Sequence, residues 1–517
     1  MKSSKHFLKS LVCVSTITCL SSRILALVRD SIIAAVFGVG IETDAFFVAF
    51  NLPNLLRRIF AEGAFSQAFI PILAEYKNKR SKTATQLLIA GVSGMLILVL
   101  TIISICGVFM TPWFILVTAP GFTHLYDKFA LTSSLLKITV SYIFLISLTS
   151  MASAILKMWN FFAIPAFAPT LLNLSMIISA LYISPYFNRP ILALAGSVLI
   201  GGILQLSYQL PFLKKIAMLV IPRINLHDIG VWRVVKNMGP ALIRISANPL
   251  SVIINTIFAS FMVSGSISWI YYADRIMEFP SAILGITLST ILLPYLTKKY
   301  NTYDCPNEYS ILLDRGLRIC LLMAVPSAVA LGVLAQPLII VLFQYRKFTA
   351  FDTFMTQQIL VCYAAGLIGI MLVKVLVTAF YSHQDIKTPV QIALLTLIIS
   401  QLVNFLFLGS LKQIGLSLSV SISVFLNAIL LYWKLRQKNY YIPQPGWGIF
   451  LLRLIIAVII LGMVLLVLIN IMPPWQNSRM IIRLLDMIIV ILTGAIIYFI
   501  TLLLLGFRLK DLSLLYK

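Results

Sequence analysis

Apolar residues fill this chain in blocks of roughly 20, separated by short stretches rich in Pro, Gly, Asn, Lys and Arg. A helix of that length rises about 30 Å, the thickness of a bilayer's hydrocarbon core. The pattern predicts about 14 transmembrane helices, beginning near residues 10, 44, 84, 132, 164, 188, 236, 267, 314, 355, 390, 415, 446 and 480. No soluble domain fits between them. The expected fold class is an all-α integral membrane protein.

Composition supports that reading, with 60% hydrophobic and 11% charged residues and a mean hydropathy of +1.00. The net charge of +24 would suit a nucleic-acid binder only if the basic residues shared a solvated face. They sit in the connections instead. With the N-terminus cytoplasmic, loops on that side hold roughly 23 Lys and Arg against roughly 7 outside, in stretches such as "EYKNKRSK" and "KLRQKN". Both termini are then expected in the cytoplasm. Lys2, Lys5 and Lys9 before "LVCVSTITCL" resemble a secretory signal, yet the helical pattern continues without an A-x-A site. The six cysteines lie mostly inside apolar spans without C-x-x-C spacing, which fits small core residues.

Recurring punctuation divides the chain. Asp44 matches Asp274, Pro71 matches Pro294, Tyr142 matches Tyr363 and Pro165 matches Pro389, at offsets of 221 to 230 residues. An offset of about six spans preserves orientation, so the halves are expected to be parallel repeats around a cavity. The predicted divisions are residues 1–225 and 226–440, each a six-helix lobe, and 441–517, a final helix pair outside the duplication.

Charges inside the spans carry the candidate chemistry, because such residues cost about 2.5 to 3.5 kcal/mol on insertion scales and face a bundle interior or a watery cavity. They are Arg23, Arg29, Asp30, Arg57, Arg58, Glu62, Arg244, Asp274, Arg275, Glu278 and Lys374, seven positive and four negative. Counting from the outer turns at about 1.5 Å per residue puts Arg29 and Asp30 at the depth of Arg275, with Arg23 and Arg57 deeper. On an ideal helix Arg58 pairs with Glu62 and Arg57 turns away, toward a ligand. The bland readings are an end to span 2 near Pro53, with Arg57, Arg58 and Glu62 as interfacial anchors, and structural ion pairs for Arg29, Asp30, Asp274 and Arg275. Arg244 has the option of snorkelling to the interface, Lys374 is ambiguous, and Asn248 with Pro249 is expected to break span 7. The histidines lack metal-ligand spacing, and there is no phosphate-binding G-x-x-x-x-G-K-[ST] loop. A cluster of acids or histidines expected of a membrane enzyme is not visible, so neither catalysis nor a cofactor is expected.

The run "RILALVRDSIIAAVFGVGIETDAFFVAFNLPNLLRRIFAEGAFSQAFIPILAEYK" closely resembles the opening of the bacterial lipid II flippases, the MurJ (also MviN) family of the multidrug/oligosaccharidyl-lipid/polysaccharide exporter superfamily. So do "APTLLNLSMI", "NTIFASFM", "YYADRIMEFP", "FYSHQDIKTP" and "QPGW". The resemblance implies 14 helices, two six-helix lobes around a cationic cavity, and a helix pair 13 and 14 forming a lipid-tail groove. It also implies substrate-binding roles for Arg23, Arg29, Asp30, Arg57, Arg58, Glu62, Asn173 and Arg275, and gating or structural roles for Asp44, Asp274 and Glu278. The implied partner is lipid II, an undecaprenyl-diphosphate-linked disaccharide-peptide, moved across the bacterial inner membrane by alternating access among membrane lipids. Arginine suits its diphosphate, offering two N–H groups from a permanently charged plane. A coupling ion belongs to the same implication, with Asp385 as a speculative cation ligand.

The chain departs from the family at Ala26 and "VTAFY", expected to lessen helix bending, and at Arg346, where Gly is usual. The alternatives are an exporter of another polyprenyl-diphosphate-linked saccharide or of drugs, and a non-transporting membrane enzyme or scaffold. A cation-drug exporter calls for an acidic cavity, opposite in sign to these arginines.

Overall fold

Residues 21–225, 228–245, 247–282, 287–301, 306–472, 475 and 478–507 are described in a computed structural model of the chain. It forms two compact units, Met1–Ser268 and Trp269–Lys517. Every regular element among the described residues is helical. Among those residues, ten helices are long and apolar enough to cross a membrane. The four expected spans missing from those ten begin near residues 10, 44, 236 and 267, and they carry ten of the eleven intramembrane charges together with much of the undescribed sequence.

Unit 1 opens with α1 (21–37), continuous through Ala26, and α2 (Ile41–Leu56). Pro53 lies inside α2. Proline removes the hydrogen bond to the carbonyl four residues back, which here belongs to Ala49. The Thr139 hydroxyl donates to that carbonyl at 2.7 Å, so the helix continues past Pro53. It passes into a π-helical segment, Arg57–Phe65, then α3 (Ser66–Lys79). The alternative of a span ending near Pro53 finds no helix end there.

The remaining unit 1 helices are α4 (Lys82–Phe109), α5 (Thr111–Thr118), α6 (Tyr126–Val140), α7 (Tyr142–Met158), α8 (Ala163–Ile178) and α9 (Pro190–Lys215). Expected span 7 appears as α10 (Ile229–Ile245) and α11 (Ala247–Ser260). The side chains of Asn248 and Pro249, on which its predicted break falls, lie outside the described residues, as does that of Arg244. The core of this unit gathers Phe65, Phe69, Leu73, Ile155 and Leu156, all fully or nearly buried.

Helix α12 (Ser266–Pro280) begins in unit 1 and continues into unit 2. Unit 2 then contains α13 (Thr287–Asn301), α14 (Pro306–Val333), α15 (Ala335–Leu342), α16 (Ala350–Ser382) and α17 (Lys387–Gln437). Lys412 has φ 49° and ψ −130°, a kink within α17, which contains two membrane-length stretches, Lys387–Phe407 and Leu411–Gln437. Arg346, in the turn between α15 and α16, has φ 48°. That left-handed backbone explains why Gly suits the position and why Arg carries strain there.

Helices α18 (Trp447–Ile471) and α19 (Met480–Leu504) finish the described chain. Leu454, Ala457, Leu461, Leu465, Val490 and Tyr498 pack inward with Leu322 of α14. Ile449, Leu452, Ile455, Ile459 and Met463 remain exposed on the other face of α18. One face thus meets protein and the other is suited to lipid.

Candidate functional site

Arg29 and Asp30 are 5% and 0% exposed. Adjacent helical side chains point about 100° apart, so the guanidinium must fold back to meet its neighbour. Arg29 Nε and Nη2 both donate to Asp30 Oδ1, at 2.9 and 2.6 Å. Nη1 donates to Asn173 Oδ1 at 2.9 Å, and Asn173 Nδ2 donates to the Ser22 carbonyl at 3.2 Å. The Phe50 ring lies 5.9 Å from the guanidinium carbon. Three residues proposed from sequence are therefore one cluster joining α1 and α8. It is an ion pair with an amide clamp, which fixes the guanidinium in place but already occupies donors on both sides of it.

Arg23, on the same helix, and Arg57 are half-buried, whereas Arg58 is exposed. The π-helical backbone at Arg57–Phe65 changes the reckoning for this stretch. With i→i+5 hydrogen bonding in place of i→i+4, the ideal-helix rotation that separated Arg57 from Glu62 does not apply. The Glu62 side chain itself lies outside the described residues.

A second buried charge pair in unit 1 involves Asp44 and Lys128, 1% and 2% exposed. Their separation is 2.8 Å. Asp44 also accepts hydrogen bonds from the backbone N–H groups of Gly265 and Ser268, at 2.7 and 2.9 Å, and from the Ser268 hydroxyl at 2.7 Å. It thereby caps the first turn of α12, where unsatisfied N–H groups favour a negative charge. Lys128 is further seated 4.2 Å from the Phe122 ring centroid. Sequence reasoning missed Lys128, because a lysine near a span's polar start reads as an interfacial anchor.

In unit 2, Arg275 Nη1 donates to Glu278 at 2.7 Å and Nη2 to the Tyr271 hydroxyl at 3.0 Å. Both charged side chains retain exposure, 25% and 36%. Asp274 is exposed. Lys374 donates to the Ser281 carbonyl at 2.6 Å, beside the end of α12, where cations are favoured. Asp385 meets Lys438 at 2.6 Å and the Thr388 hydroxyl at 2.7 Å. Burial raises its pKa, but the Lys438 and Thr388 donors outweigh that and hold the carboxyl below its usual range. A protein ammonium thus already meets the carboxylate considered as a cation ligand.

Another acid absent from the sequence candidates is Asp314, which is buried. Its Oδ1 accepts from Tyr441 at 2.6 Å and Trp447 at 2.7 Å, while Oδ2 meets Arg318 at 2.8 Å. This anchors the connection into α18, including the "QPGW" stretch.

The model of the family described as "Lipid II flippase MurJ" matches residues 33–486. The chain belongs to the MurJ family. A probable lipid II flippase MurJ of Buchnera aphidicola subsp. Schizaphis graminum is 46% identical over 508 residues, covering 98% of each chain. The lipid II flippase MurJ of Burkholderia cenocepacia is 45% identical over 463 residues, covering 88% of this chain and 89% of its own. Among solved structures, a lipid II flippase MurJ in an inward closed conformation shares the fold at a TM-score of 0.77 and 24% identity, over 95% of this chain and 98% of that one. An inward-facing multidrug resistance MATE family transporter of the MOP superfamily gives 0.66 at 13% identity, over 82% and 98%. MurJ membership places the chain among membrane transporters rather than enzymes.

Proposed function

We propose that this chain is a flippase for lipid II, carrying the lipid-linked peptidoglycan precursor from the inner to the outer leaflet of the bacterial cytoplasmic membrane by alternating access. The family match along residues 33–486 carries this reading, and the buried Arg29 with its Asp30 and Asn173 partners supplies chemistry suited to a diphosphate. Under the same proposal the chain has 14 spans, six in 1–225, six in 226–440 and two in 441–517, with both termini cytoplasmic. The last pair, with one apolar face left exposed, suits the polyprenyl tail. A coupling ion is part of the proposal, without an assigned ligand.

The residues proposed for the head group are Arg23, Arg29, Asp30, Arg57, Arg58, Glu62, Asn173 and Arg275. Asp44, Asp274 and Glu278 serve gating or structural roles. Arg29 takes the diphosphate by exchanging Asp30 or Asn173 oxygens for phosphate oxygens; its fixed plane keeps two parallel donors through that exchange. The deciding experiment follows labelled lipid II in proteoliposomes, with binding and folded protein measured together. Arg275→Ala is expected to impair flipping while folded protein persists; Arg29→Ala strands the buried Asp30 and is expected to lower folded protein as well, so its binding and flipping are scored per folded molecule, and the Lys variants are expected to retain more binding than Ala. Normal binding and transport by both well-folded Ala variants would remove these arginines from the site, and absence of flipping by the unmodified protein would overturn the function.

A further inference from the structure

The connection between α9 and α10 takes no part in the head-group chemistry, yet it is closely fitted to unit 1. From Ile216 to Asn225 the chain is not helical, and it lies along α4. Gln86 Nε2 donates to the Ala217 carbonyl at 2.6 Å, and the Arg223 N–H donates to the Ala90 carbonyl at 2.9 Å. Gly94 completes the fit, since a Cβ there would collide with the Arg223 carbonyl oxygen. The strap therefore has a defined inner side.

Its other side is apolar. Leu219, Ile221 and Ile224 are exposed, Ile221 to 80%, and they are followed by exposed Ile229 and Trp232 on α10. Continuous apolar sequence in α4 starts at Leu87, so Gly94 lies about 10 Å further in at the helical rise. A non-helical backbone is poorly suited to the hydrocarbon centre, where carbonyls and N–H groups need partners. The layer between head groups and acyl chains meets both demands. Basic side chains complete the pattern: Lys214, Lys215, Arg223 and Lys236 are exposed. By contrast, Arg233 is paired with Glu75 at 3.0 Å, and Asp228 accepts from the Gly230 N–H at 2.7 Å.

We propose that residues 216–225, with the first turn of α10, form a strap embedded in one monolayer, where its outward apolar side chains enter the acyl region and the exposed lysines and arginine around it bind anionic phospholipid head groups. The positive charge and the apolar faces are interleaved, which fits many phospholipids at a surface better than one transported head group in a cavity. The inference rests on the chain's being a membrane protein and is independent of which lipid is transported.

The test uses full-length protein in nanodiscs of phosphatidylcholine with or without phosphatidylglycerol. Spin labels are placed on Ile221→Cys, Ile224→Cys or Lys215→Cys in a background with the native cysteines replaced. Labels at 221 and 224 should meet dissolved oxygen more readily than a water-soluble nickel chelate, with the reverse at 215. Native mass spectrometry should show phosphatidylglycerol retention falling about fivefold for each charge removed from Lys214, Lys215, Arg223 and Lys236 by Gln substitution. Arg223→Lys should preserve most of its contribution. Nickel access at both 221 and 224, or undiminished phosphatidylglycerol retention after all four Gln substitutions, would overturn the proposal, whether or not the protein flips lipid II.

Discussion

For single residues, burial decides which charges can be changed alone. Lys128→Met would leave Asp44 charged in a dry setting, with its backbone donors but without its cation. Such a change is expected to cost about 3 to 5 kcal/mol of stability, measurable by denaturant titration in mixed micelles. Adding Asp44→Asn should cost less than the two single changes summed, because neither charge is then stranded. His383 offers a pH readout at the end of α16. Its ring stacks on Tyr440 at 4.0 Å and meets Tyr309 edge-on at 4.8 Å. Burial lowers its pKa below the usual 6.5. The unfolded chain then binds the proton more readily, so the neutral ring's contribution is present above about pH 6.5 and is lost as pH falls toward the lower folded value. Melting temperature should decline across that acidic window, and His383→Gln should flatten this part of the decline.

Between helices, polar groups secure joints that apolar packing alone would leave loose. Asp314 holds Tyr441 from the connection between α17 and α18 and Trp447 at the start of α18, and Arg318 reaches the Pro445 carbonyl at 2.9 Å. Asp314→Ala leaves those donors without their shared acceptor. It should destabilise the protein by about 3 kcal/mol and speed amide exchange most at residues 440–447. Uniform exchange along unit 2 would show that Asp314 does not organise this joint. The same logic explains α2, where a threonine hydroxyl from α6 satisfies the carbonyl that Pro53 leaves without its helical donor. A proline marks a missing donor; whether the helix ends depends on what lies beside it.

Across the molecule, the placement of basic residues predicts an orientation in the membrane. The basic stretch from the end of α3 to the start of α4, with Lys77, Lys79, Arg80 and Lys82, should face the cytoplasm. Asn78 is exposed in the last turn of α3, so Asn78→Cys should react with an impermeant thiol reagent only after cells are permeabilised. Labelling of intact cells would reverse the orientation. That ten helices among the described residues are long and apolar enough to cross a membrane does not depend on that outcome, since length and hydropathy are indifferent to direction.

The order of residues alone is enough for the helical membrane class and the family, because block length, sparse charge and extended motifs are properties of the chain as written. It also singles out Arg29, Asp30 and Asn173, and the structure joins all three. Packing was needed to establish that Arg29 is engaged by a neighbour that ideal helical spacing points elsewhere, that Lys128 is the partner of Asp44 across 84 positions, and that Asp314 gathers groups from 127 and 133 positions away. Packing likewise carries α2 past Pro53 into a π-helical turn at Arg57. The physical reason is common to these cases: periodicity specifies the direction in which a side chain leaves its own helix, whereas its partner, its burial and the repair of a broken hydrogen bond depend on which other helix is packed there.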